Sequence, residues 1–176
     1  MSTSIFLDPV QILYGPHKSV QNDAALIVDD HIYAFGEESR IKAKELGIPK
    51  TKAPNQLLAP PLVDPHSILE EPISGHCEDL NSLRHSAAKA GYGQIALLPR
   101  SKESRDTPEK LKFLSNSDSD VTIHLWANFS KEGRGENLSS HGNLIKHGAI
   151  GLADDDWMIN TSLLQKGLEL GEMNDS

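Results

Sequence analysis

The chain has 176 residues, 38% of them hydrophobic, with 25 acidic against 17 basic side chains and a net charge of −8. That length suits one ordinary domain, or a small domain joined to part of a larger one. The charge argues against a nucleic-acid surface, because no Lys/Arg stripe is available to neutralise phosphates.

The basic residues Lys42, Lys44, Lys50 and Lys52 alternate with Glu37, Glu38 and Glu45, the pattern of a solvated helix face and loop. Cys77 is the single cysteine, so an internal disulfide and a cysteine-built zinc site are excluded. No apolar run approaches the roughly 20 residues that cross a bilayer. The start, MSTSIFLDPVQILYG, lacks the basic region and apolar stretch of a signal peptide. These features predict a cytoplasmic chain with neither nucleic-acid nor membrane partners.

In chain order, Ser4 to Leu7 and Gln11 to Tyr14 are short β-prone runs interrupted by Asp8-Pro9. Ala24 to Val28 and Ile32 to Phe35 flank Asp29-Asp30, a hairpin signal. Glu37 to Leu46 predicts a short helix stopped by Gly47 and Pro49, and Lys50 to Asn55 a polar connection. The rhythm then changes. Leu57 to Val63 reads as a strand, and Glu78 to Ala90 as a helix with Leu80, Leu83, Ala87 and Ala90 on one face. Gln94 to Leu98 is the next strand; Thr107-Pro108-Glu109 starts a helix running to Leu111 and Leu114. Val121 to Ala127, a helix over Leu138 to His147 with Leu144 and Ile145 inward, Ala149 to Ala153, and a helix over Thr161 to Leu170 complete the series.

Four successive β-α units imply parallel strands joined by crossover helices. Periodicity alone leaves an open sheet and a closed barrel as alternatives. A closed eight-stranded barrel takes about 250 residues, so the segment holds about half of one. The expected fold is therefore α/β: a small β-rich domain over residues 1–56, a partial β-sandwich, followed by half of a (β/α)8 barrel over 57–176.

The segment LLAPPLVDPHSILEEP, Leu57 to Pro72, resembles the entry strand of the dihydroorotase branch of the amidohydrolases. There the family carries an apolar strand, an Asp-x-His-x-His metal motif and Leu-Arg-Glu-Pro. The match continues through the Ala-rich helix after Glu78-Asp79, Ile95 to Pro99, Asp106-Thr107-Pro108-Glu109, GAIGLADD and the Leu-rich helix from Ser162 to Gly171. HLWANFSKEGRGENLSS resembles the third strand and loop of divergent, cyanobacterial-type homologues. The resemblance implies a pair of zinc ions sharing a hydroxide that opens the cyclic amide of dihydroorotate. An arginine and an asparagine would bind the substrate carboxylate. Zinc would lower the pKa of its water so that hydroxide exists near neutral pH.

On that pattern the first histidine falls on His66 and the bridging carboxylate on Asp154, in the run Asp154-Asp155-Asp156. The second histidine position carries Ile68, the arginine position Glu70, the asparagine position Arg100 and the strand-entry glycine Pro61. The family's later histidines and catalytic aspartate have no counterpart before Ser176. His66 and Asp154 are thus expected as remnant metal positions, with no catalytic residue and no cofactor unless the chain is active, in which case zinc.

Plainer roles compete for the remaining residues. His124 reads as a strand-edge histidine, His147 as a helix-end one, and Trp126 and Trp157 as core or strand-end packing residues. His76 and Cys77 lie close together without a third group to orient a nucleophile. The leading expectation is a non-catalytic dihydroorotase-like protein that scaffolds pyrimidine biosynthesis. Its partner would be a second copy closing a pseudo-barrel, or an aspartate carbamoyltransferase-like protein, by family precedent. The alternatives are a cyclic amidohydrolase whose ligands another chain completes, and a truncated product without a role of its own.

Overall fold

The computed structural model describes residues 4–69, 78–99, 104–111, 120–154 and 160–172. Glu70, His76, Cys77, Arg100, Leu114, Asp155, Asp156 and Trp157 lie outside the described residues. The chain divides into two compact units between Pro60 and Pro61.

The first unit is a four-stranded sheet in the order β3-β2-β1-β4. β1 (Ser4–Ile12), β2 (Gln21–Val28) and β3 (His31–Phe35) are antiparallel neighbours, and β4 (Lys50–Leu58) runs parallel to β1. Asp8-Pro9 does not split β1 into the two runs expected. The strand absorbs it as a register shift between Leu7 and Val10, the kind of irregularity where a residue without an N–H is tolerated. Asp29 and Asp30 take φ of 51° and 62°, the left-handed pair that a tight two-residue hairpin requires.

Helix α1 (Gly36–Glu45) packs Ala43 against Phe6, Ala24 and Leu26. The stretch expected as a polar connection is β4 itself. Only Ala53 of β4 is buried, so its polarity is that of an edge strand held by its backbone ladder. The apolar run from Leu57 to Val63 is consequently divided, its first two residues closing β4 and its last two opening the next strand, with Pro60-Pro61 between.

The second unit holds β5 (Leu62–Ser67), β6 (Tyr92–Leu97), β7 (Thr122–Asn128) and β8 (Ala149–Ala153), paired in sequence order and all parallel. Helices α2 (Leu80–Lys89), α3 (Pro108–Leu111), α4 (His141–Lys146) and α5 (Thr161–Glu172) follow the four strands in turn. This is a half-closed parallel barrel of four β-α units.

The alternation of β6 and β7 decides which face meets the helices. Ile95, Leu97, Leu125 and Ala127 pack with Ala87, Leu111 and Leu144 in one apolar cluster. Leu144 is fully buried there, whereas Ile145, expected inward, is exposed, because the next position on a helix turns about 100° away. Asp79 caps α2: its Oδ1 accepts the Ser82 N–H at 2.7 Å, and Ser82 Oγ accepts the Asp79 N–H at 2.9 Å. A reciprocal cap of this kind stabilises a helix by about 1 kcal/mol.

The opposite face carries Gln94, His124 and Trp126. Trp126 Nε1 donates to Pro65 O at 3.0 Å, reaching β5 from β7 with β6 between them. Such a reach requires the sheet to curl toward this face. Ala96, the register partner of His124, keeps the intervening strand low. On the other side the indole lies on Gly151, where a Cβ would stand 2.3 Å from Trp126 Cζ3.

Gly167 plays the same part in the helical layer. A Cβ there would stand 2.3 Å from Phe129 Cζ and 3.1 Å from His141 Cε1. Replacing a mid-helix glycine with alanine ordinarily gains about 1 kcal/mol, but overpacking a closed contact costs about 1–3 kcal/mol. Phe129 is buried and cannot swing away, so the contact wins. Gly167→Ala is expected to lower the urea midpoint; an unchanged or raised midpoint would contradict this packing.

Candidate functional site

Barrel enzymes place their chemistry at the C-terminal ends of the strands, and the buried polar residues of the second unit collect there. Asn128, the last residue of β7, is the centre. Its Oδ1 accepts the Arg105 N–H at 2.5 Å, and its own N–H donates to Arg105 O at 2.9 Å. Its carbonyl accepts the Ser139 hydroxyl at 2.6 Å, and its Nδ2 reaches Asp154 Oδ1 at 3.5 Å. The loops that follow β6, β7 and β8 are thereby joined through one side chain.

Arg105 is buried, with Nη1 donating to Leu97 O and Leu98 O at 2.9 Å each. Burial pushes its pKa down to about 10. The guanidinium remains a cation at neutral pH, solvated by carbonyl dipoles where β6 ends.

Asp154 follows β8 and its carboxylate is held by the protein. The Ser130 N–H donates to both oxygens at 3.0 and 3.1 Å, and the Ser130 hydroxyl to Oδ2 at 2.5 Å. Ser130 Oγ in turn accepts the Gly135 N–H at 2.7 Å. His141 Nε2 donates to Phe129 O at 2.7 Å, closing the underside of the same loop.

His66 lies near the end of β5 and is exposed. Its backbone N–H donates to Asp64 Oδ1 at 2.9 Å, and Ser67 Oγ donates to Asp64 Oδ2 at 2.6 Å. The Ser67 hydroxyl and the His66 N–H hold the Asp64 carboxyl below its ordinary value. Strand order puts His66 and Asp154 at the same end of the sheet but on its two outermost strands, so one chain does not make them neighbours in the sheet. Ile68, at the second ligand position, offers no lone pair.

Among the described residues no group of three or more His, Cys, Asp or Glu side chains could hold a metal ion. Among the described residues His66 has no second imidazole beside it and both Asp154 oxygens already accept hydrogen bonds from Ser130, so these residues alone do not make up the zinc pair the resemblance implies. A tight zinc site needs three or four ligands.

Of the histidines expected in plain roles, His147 is found at its helix end, whereas His124 lies within β7, an interior strand, rather than at a strand edge. His124 Nε2 lies 2.9 Å from Gln94 Oε1 on the inner face, and His147 Nδ1 donates to Asn143 O at 2.7 Å at the end of α4. Sequence reasoning missed Arg105, Asn128, Ser130 and Ser139. For Asn128, Ser130 and Ser139 the available signal was a polar, glycine-containing run immediately after an apolar strand, ANFSKEGRGENLSS, which does not include Arg105.

Asp106 anchors the neighbouring loop. Its Oδ1 accepts from Lys110 Nζ at 2.8 Å and Ser104 Oγ at 3.1 Å, and its Oδ2 accepts the Glu132 N–H at 3.0 Å. Burial by itself would raise this carboxyl, but Lys110, the Glu132 N–H and the Ser104 hydroxyl together outweigh it and hold the pKa below its ordinary value. A carboxyl depressed in the native state contributes stability that is complete above its unfolded value, about 3.9, and lost as pH falls through the native value. Asp106→Asn is therefore expected to destabilise by about 1–3 kcal/mol at pH 7. The deficit should shrink toward pH 3.5 in urea titrations; one constant with pH would refute the assignment.

No family model matches the chain. A dihydroorotase of Ruminiclostridium cellulolyticum is 32% identical over 154 residues, covering 85% of this chain and 35% of that protein. A probable dihydroorotase-like protein of Synechocystis is 26% identical over 193 residues, covering 94% and 41%. Among solved structures, the L-hydantoinase (dihydropyrimidinase) of Arthrobacter aurescens aligns with 98% of this chain and 39% of its own, at a TM-score of 0.58 and 14% identity, a likeness of fold. The chain spans 35% and 36% of the length of the first two curated relatives it matches. Over the portion it shares with them the chain is similar in sequence to dihydroorotases, and its N-terminal sheet and half-closed parallel barrel share the fold of the L-hydantoinase.

Proposed function

We propose that this chain is a dihydroorotase-like protein of the divergent, cyanobacterial-type branch that does not hydrolyse cyclic amides. Its role is that of a cytoplasmic scaffold or assembly partner in pyrimidine biosynthesis, with an aspartate carbamoyltransferase-like protein as the natural partner class. The observation that carries the reading is Ile68. A strand-end His-x-His aims two imidazoles at one point because residues i and i+2 share a face. Replacing the second with isoleucine leaves His66 as a lone donor.

Three further features support it. Asp154 is committed to Ser130 and Asn128, so it serves as a loop anchor. Glu70 stands where the resemblance puts an arginine, so an anionic substrate would meet a negative charge. Arg100 replaces the asparagine that would share that carboxylate. Among the described residues no helix is long and apolar enough to cross a membrane.

The test is zinc content and ring closure of carbamoyl-aspartate measured on one preparation. The expected result is zinc far below stoichiometric and turnover at background. About two zinc per chain, the complement of a two-metal site, together with ring closure would overturn the proposal.

A further inference from the structure

We draw no further inference here: the strongest candidate, the polar and aromatic stripe of Gln94, His124 and Trp126 on the inner face of β6 and β7, carries nothing because the structure does not show what covers that face.

Discussion

The second unit depends on one asparagine having every backbone and side-chain polar group occupied. Asn128 is buried at the end of β7, where its N–H, carbonyl and both side-chain functions are engaged by Arg105, Ser139 and Asp154. Leaving any one of these unmatched would cost about 1–3 kcal/mol, so the loops after three strands are not independent of one another. The same logic explains Ser130, whose hydroxyl donates to Asp154 and accepts from Gly135.

Arg105 shows what this network costs. A buried cation facing carbonyl dipoles is a weak source of net stability, because desolvation offsets most of the attraction, and burial lowers its pKa to about 10 accordingly. What the guanidinium supplies is geometry. Two carbonyls at the end of β6 accept from the single nitrogen Arg105 Nη1, and the loop returns to pair with Asn128. The C-terminal end of the sheet is thus ordered by protein-protein hydrogen bonds at the place where relatives of this fold carry chemistry.

The outer face of the sheet and its strand ends are stabilised separately. Apolar cluster and helices stabilise the outer face without any requirement from the inner one. His66, Ile68 and Asp154 stand at strand ends, outside that cluster, where substitution leaves the packing of Leu97, Leu125 and Leu144 untouched. On the inner face Trp126 spans from Gly151 on one side to Pro65 on the other, and His124 Nε2 meets Gln94 Oε1 across β6 and β7.

Much of this was legible in the amino-acid order. The four β-α units, the Asp29-Asp30 hairpin and the stop at Gly47 follow from periodicity and turn chemistry, which are local properties, whereas Ile68 at a ligand position is what the resemblance implies. The edge strand β4 was not legible, because a strand with one buried residue has no alternation to read. Neither was the inward turn of Leu144 over Ile145, nor the hub at Asn128, whose partners lie 11 to 26 residues away. By itself the sequence determined the class of fold and the order of elements, since each is encoded within a few residues. Only the tertiary structure decided that Asp154 is a loop anchor, that Arg105 is buried, and that His66 and Asp154 occupy opposite edges of one sheet, because those facts depend on which distant strand ends pack together.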